Sequence, residues 1–294
     1  MTLRDFALLV LICLVWASNN IISKIVVAHW GVPPLFYASV RFALVCLVTL
    51  PWLLPAPRPI WRIVLVALLM GGGNFALLFV GLKTASPSTT AIVTQLGVPM
   101  TTLLSVLMLG ERIRWRRGLG IALTFAGAML VMWQPGGFSF SGGVIYLLGS
   151  AFTGSLGAVM MKQMEGVKPL RFQAWVGFCS LWPLAALSFF TEQGQLQHIT
   201  TGFWIAVSFS AFVVSVMMHT AYYGLIQKYE ANLISPLTLM TPLATIGMGV
   251  AITHDYFDAR MAFGAALALL GVLIIALRGN AAMPLLLAVR NRVQ

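Results

Sequence analysis

The chain has 294 residues, 60% of them hydrophobic and 9% charged, and 18 Lys+Arg against 7 Asp+Glu give a net charge of +11. A soluble domain carries about 25% charged residues, so this chain cannot cover itself with polar surface, and the solvent it implies is a lipid bilayer. The basic residues stand in short segments between apolar runs, which is the pattern of cytoplasmic membrane loops and points away from a nucleic-acid partner.

A membrane-spanning helix needs about 20 apolar residues and must satisfy its own backbone hydrogen bonds. Ten such runs are predicted, at 6–28, 34–54, 61–82, 88–109, 115–133, 143–164, 172–191, 202–225, 231–253 and 260–278. Turn signals separate them: Gly31-Val32-Pro33-Pro34, Pro55-Ala56-Pro57, Ser86-Pro87, Gln134-Pro135-Gly136-Gly137 and Glu192-Gln193-Gly194. The first run exceeds a signal core of about 7–15 residues and lacks a small-x-small cleavage site, so it reads as a membrane helix. Cys13, Cys46 and Cys179 all lie in apolar runs without CxxC or Cys/His spacing. They read as small apolar side chains, and neither a disulfide framework, a metal nor a cofactor is expected.

With the amino terminus placed in the cytoplasm, the inner segments collect Arg4, Arg58, Arg62, Arg112, Arg114, Arg116, Arg117, Lys162, Lys168, Arg171, Lys228, Arg278, Arg290 and Arg292. The outer segments receive only Lys83 and Arg260, and Lys24 and Arg41 fall within runs. Retention of Lys and Arg on the cytoplasmic side produces this bias, so both termini are expected inside.

The chain also repeats itself at an offset of about 144 residues. Glu111, Arg116, Gly120 and Gly127 align with Asp255, Arg260, Gly264 and Gly271. One residue out of register, Gly81-Leu82, Leu96 and Pro99 align with Gly224-Leu225, Leu239 and Pro242. Two halves of five helices each, an odd number, must enter the membrane from opposite sides. The fold expected is an all-α membrane protein, ten transmembrane helices as two inverted five-helix repeats around a central cavity, the architecture of many secondary transporters. The expected units are 1–137, 138–280 and a cytoplasmic basic tail at 281–294.

Trp16-Ala17-Ser18-Asn19, Pro34 to Arg41, Gly81 through Thr90, the segment Ala91 to Pro99 and Leu109-Gly110-Glu111-Arg112 together resemble EamA-type members of the drug/metabolite transporter superfamily. The resemblance covers nearly the whole chain, although His254-Asp255 stands where the family usually has a Gly-Glu pair. Within the superfamily the chain is most similar to the YddG-type exporters. That resemblance implies export of aromatic amino acids and related metabolites across a bacterial inner membrane.

Polar and helix-weakening residues near mid-run mark where a substrate would sit, because helix breaks in lipid are tolerated only against protein or a wet cavity. Helices 1, 3, 4, 6, 8 and 9 are expected around the cavity, with 5 and 10 outside it. Candidate substrate-binding residues are Trp16, Asn19, Asn20, Arg41, Asn74, Phe79, Gln95, Pro99, Ser155, His219, Tyr222 and Pro242. Each has a plainer reading. Asn19 and Asn20 also serve as interhelical hydrogen-bond partners, Gly71-Gly72-Gly73 as a close-packing face, and Pro99 and Pro242 as simple kinks. Lys24 reaches an interface by snorkelling, and Arg41 either does so or meets a substrate carboxylate. His219 is either a structural or a titrating histidine.

The leading function is therefore a small-molecule transporter working by alternating access, as a monomer or weak homo-oligomer. A membrane-embedded enzyme would need clustered carboxylates, a His/Asp group or metal ligands near an interface, and the only adjacent pair is His254-Asp255. A channel or packing partner has less use for an odd-count inverted repeat.

Overall fold

The computed structural model describes residues 2–109, 115–134, 137–138, 142–161, 164, 166–229 and 237–276. The expected basic tail at 281–294, Gly110 to Arg114, Lys162 and Glu230 lie outside them. In chain order the helices are α1 (Leu3–His29), α2 (Pro34–Trp52), α3 (Ile60–Thr84), α4 (Pro87–Met108), α5 (Trp115–Met132), α6 (Gly142–Met161), α7 (Pro169–Thr191), α8 (Thr201–Tyr222, wound on to Lys228), α9 (Met240–Ile252) and α10 (Ala259–Ala276). Among the described residues, seven of these are long and apolar enough to cross a membrane, and α5, α9 and α10 contribute shorter apolar stretches. A two-residue antiparallel pairing of Trp133 with Phe138 and Gln134 with Gly137 follows α5.

Local chemistry sets the helix starts. Pro34, Pro87 and Pro169 open α2, α4 and α7, where the missing N–H costs no hydrogen bond. Thr2, Ser86 and Thr200 cap α1, α4 and α8 by accepting from the N–H of Asp5, Thr89 and Phe203. Glu192, read from the sequence only as part of a turn, caps a different helix: its carboxylate accepts from the N–H of Leu35 and Phe36, each at 2.8 Å. Large apolar side chains such as Leu47, Leu107, Phe189 and Phe190 point outward, as a lipid-facing surface requires.

The sequence treats each run as continuous, and the structure corrects this in two places. In α4 the winding tightens at Thr94–Leu96 and resumes at Gly97. A turn at Thr238–Leu239 likewise precedes α9 at Met240. Pro99 therefore lies in the first turn of a restarted helix and Pro242 in the first turn of α9, where proline is tolerated. The breaks stand 144 residues apart, at 94 and 238. Winding also widens to the π form at Ile25–His29, Leu68–Gly73 and Phe209–Met218.

α5 and α10 cross antiparallel with backbones in contact. A Cβ on Gly120 would stand 2.8 Å from the Gly271 carbonyl oxygen, and one on Gly271 2.5 Å from that of Gly120. The same holds for Gly127 and Gly264, at 2.5 and 2.8 Å. Thr124 Oγ1, between them, lies 3.5 Å from the carbonyl of Ala268. The sequence offset pairs 120 with 264, 124 with 268 and 127 with 271. Gly120 thus meets the counterpart of Gly127, Gly127 meets the counterpart of Gly120, and Thr124 meets its own counterpart, the exchange expected of residues around a local two-fold axis.

Lys24 ends on protein groups at a helix terminus. Its Nζ donates to the carbonyls of Leu82 and Ala85 at 2.9 and 2.8 Å, at the end of α3. Beside it Asp255 accepts from the N–H and hydroxyl of Ser88 at the start of α4. At the other end of the bundle Asp5 of α1 accepts from Lys228 at 2.6 Å and Tyr229 at 2.5 Å.

Candidate substrate cavity

Two neighbouring cavities, of about 350 and 190 Å³, lie within the helix bundle and share Asn74, Phe75 and Gly154 as walls. The larger is enclosed by Asn20 of α1, Thr90, Thr94, Gly97 and Thr101 of α4, and Ser150 and Ser155 of α6. The smaller adds Phe172, Gln173 and Val176 of α7 with Ser215 and His219 of α8. The walls mix apolar and hydroxyl or amide groups at a size that suits a small molecule.

α3 positions the shared wall. Its glycine run packs tightly: a Cβ on Gly71 would stand 2.6 Å from Val176 Cγ1, so Gly71 serves the close-packing role. The run hands over to Asn74, whose Nδ2 donates to the Ser150 carbonyl at 2.8 Å while the Ser150 hydroxyl donates back to the Asn74 carbonyl at 2.9 Å. Gly154 leaves room for this amide, since a Cβ there would lie 2.5 Å from Asn74 Nδ2. Replacing Asn74 by Ala removes the tie between α3 and α6. Interhelical hydrogen bonds in lipid average about 0.6 kcal/mol, so a loss of about 1 kcal/mol or less is expected in detergent unfolding, with a larger deficit in transport because the wall itself changes.

Of the twelve candidate residues, Asn20, Asn74, Ser155 and His219 line a cavity. Asn20 Nδ2 reaches Thr245 of α9 at 3.4 Å, and Ser155 Oγ lies 2.6 Å from the Ala151 carbonyl and 2.8 Å from that of Gly97. His219 Nδ1 is 2.7 Å from the Val214 carbonyl. A carbonyl only accepts, so Nδ1 carries the proton and Nε2 holds the free lone pair.

Three candidates stand one layer behind the wall. Trp16 packs against His219 in a tilted contact and against Tyr222 edge-to-face, ring centroids 5.2 and 5.0 Å away. Asn19, buried, accepts from the Ser210 hydroxyl at 2.6 Å. Arg41 is 1% exposed and donates from Nε and Nη2 to Ser215 Oγ at 3.0 and 2.9 Å. Phe79 packs on Tyr37 at 5.1 Å inside the apolar core. Gln95, Pro99, Tyr222 and Pro242 are not among the wall residues of either cavity.

α7 takes the wall place that was expected of α9, because α7 packs along α2 and turns Phe172, Gln173 and Val176 inward. α5 and α10 contribute no wall residue among the described ones. The threonine wall of α4 was legible in principle: 90, 94, 97 and 101 recur at steps of four, three and four, one face of a helix. Gln173 and Ser215 gave no comparable signal, the first sitting at the edge of its predicted run and the second alone among apolar neighbours.

The model of the EamA-like transporter family matches this chain twice, over residues 5–133 and 141–277. A probable amino-acid metabolite efflux pump of Salmonella typhimurium is 24% identical over 93% of this chain and 95% of its own length, and one of Escherichia coli is 23% identical over the same shares. An uncharacterized inner membrane transporter of Escherichia coli, YedA, is 25% identical over 84% of this chain and 82% of its own. One crystal structure, 20% identical, covers 99% of both chains with a TM-score of 0.62 and is similar in fold.

Proposed function

The chain belongs to the EamA-like transporter family, and from that premise we propose that it exports small metabolites, aromatic and other amino acids among them, across a bacterial inner membrane by alternating access. The observation that carries this reading is the pair of neighbouring cavities with mixed polar and apolar walls, the larger of them lined by the broken helix α4. Discontinuous helices at a repeat interface are where transporters of this architecture hold their cargo.

The proposed frame is ten crossings, both termini in the cytoplasm, with units 1–137 and 138–280 as inverted halves and 281–294 as a basic tail. The reciprocal crossing of α5 and α10 supports it, as do the matched breaks at 94 and 238. Asn20, Asn74, Ser155 and His219 are the proposed direct contacts, with Trp16, Asn19 and Arg41 behind them. The efflux names of the two relatives favour export over uptake. The working unit proposed is a monomer or weak homo-oligomer.

The test is counterflow of labelled phenylalanine in proteoliposomes, with and without a proton gradient. Saturable exchange is expected, falling at least about tenfold when Asn20 and Asn74 are both replaced by Ala, equivalent to about 1.4 kcal/mol of lost site interaction. Absence of saturable exchange for every amino acid and amino-acid derivative tried would sink the reading.

A further inference from the structure

We propose that Arg41 is an anion receptor one side-chain layer behind the smaller cavity, and that the preferred cargo is an apolar organic acid of net charge −1 rather than a zwitterionic amino acid. This deepens the exporter reading and rests on it.

A guanidinium offers five N–H donors in a rigid fork. Nε and Nη2 both donate to one hydroxyl, Ser215 Oγ. That hydroxyl spends its own proton on the Ser210 carbonyl at 2.9 Å, so its lone pairs are taken. Nη1 is buried without a partner. Its other neighbours include three aromatic faces: the guanidinium carbon lies 4.3 Å from the Phe75 centroid, 5.7 Å from Phe79 and 5.9 Å from Phe42.

No described carboxylate is free to pair with it. Asp5 holds Lys228 and Tyr229, Glu192 caps α2, Asp255 caps α4, and Asp258 takes the Met261 N–H beside Arg260. Buried charges in proteins are paired, and those in a membrane interior mark ligand paths.

The missing partner has a way in. Ser215, which accepts from the guanidinium, and Phe75, whose ring packs on it, both face the smaller cavity. Phe75 thus stands between the guanidinium and that cavity, and movement of its ring is the route by which a carboxylate there would reach Arg41. The walls around it, Met70, Phe172 and Val176, suit an apolar body.

Charge then selects among cargoes. A single carboxylate neutralises Arg41, so the loaded site carries no net charge. A free ammonium on the same molecule adds a second positive charge close to the guanidinium, and among the described residues no wall residue is acidic.

The test uses three ligands that share one skeleton and differ in charge: N-acetylphenylalanine (anion), phenylalanine (zwitterion) and phenylalanine methyl ester (cation). Affinities are measured on the full chain in lipid nanodiscs. Expected is at least tenfold tighter binding of the N-acetyl acid than of phenylalanine, with the ester weakest. Arg41→Gln should reduce acid affinity at least tenfold and leave the ester unchanged or tighter, while Arg41→Lys keeps part of the preference. Phenylalanine binding as tightly as the acid, or an Arg41→Gln protein with unaltered acid affinity, overturns the proposal. Should neither variant fold, the wild-type order of the three ligands decides it alone. Counterflow of phenylalanine with none of the acid defeats this inference and leaves the exporter reading standing; counterflow of neither defeats the exporter reading.

Discussion

Gly127→Leu is expected to prevent α5 and α10 from docking, with a loss of stability of about 3 kcal/mol or more. The first atom of the new side chain would already sit 2.5 Å from the Gly264 carbonyl oxygen. Ordinary overpacking in a core costs about 1–3 kcal/mol because side chains move aside. Here the obstructing atoms are backbone on a facing helix, so relief requires moving the helix. Gly118→Leu provides the control on the same helix, since nothing lies within 4 Å of a Cβ there. It should leave stability unchanged or raise it, glycine costing about 1 kcal/mol in a helix interior. Thermal unfolding and monodispersity in detergent distinguish the two. Equal behaviour of the two variants would mean that the α5–α10 contact is not structural.

Asp255→Asn is expected to loosen one end of the bundle, the outer one in the orientation proposed. The Asp255 carboxylate accepts from Ser88 N–H at 2.8 Å and Ser88 Oγ at 2.6 Å, and its second oxygen accepts from Thr253 Oγ1 at 2.8 Å. It stands at the positive start of α4, and Lys24 stands at the negative end of α3. Both ties therefore gain from the helix dipoles as well as from their hydrogen bonds. A hydrogen bond to a charged group is worth about 1.5–3 kcal/mol, a neutral one about 1. Neutralising Asp255 while keeping an oxygen acceptor should then cost about 2 kcal/mol, a shift of roughly 30-fold in a two-state equilibrium. Thr90, 1% exposed in the wall of the larger cavity, reports the change. In a background lacking Cys13, Cys46 and Cys179, Thr90→Cys should react roughly 30-fold faster with a membrane-impermeant thiol reagent applied outside when Asp255 is Asn. An unaltered rate, with folding intact, would remove Asp255 from the closing contacts.

Much of the helix layout was legible because lipid forces it: a segment with no water to bond must be helical and apolar, and the runs announce themselves by length. The cavity was legible in part for a related reason. Asn20, Asn74, Ser155 and His219 interrupt apolar sequence, and polar groups in lipid need a protected place. Hydropathy is blind to who the partner is. Asn19 and Asn20 are adjacent and alike, yet one bonds Ser210 behind the wall and the other faces the cavity. Lys24 and Arg41 read alike as basic residues inside apolar runs. Lys24 ends on two carbonyls at a helix terminus, and Arg41 ends on a serine contributed from 174 residues away. Pro99 and Pro242, read as kinks or cavity residues, line neither cavity and lie in the first turns of the helices that begin at Gly97 and Met240. Glu192 capping α2 depends on the approach of a helix end 156 residues distant, which no local pattern encodes.

The wide winding of α3 and α8 has a consequence for motion. Leu68–Gly73 and Phe209–Met218 correspond under the 144-residue offset, and each ends directly before wall or neighbouring residues, Asn74 on one side and His219 on the other. An α-helix turns about 100° per residue. Taking up the extra residue of either segment into α winding would swivel the residues next to it by about that angle. Asn74 and Phe75 would leave the cavity and enter the packing, or His219 would. In the two-half frame proposed above, each half would contain a swivel at the same address, and turning one while the other rests would present two differently lined chambers from a single set of helices.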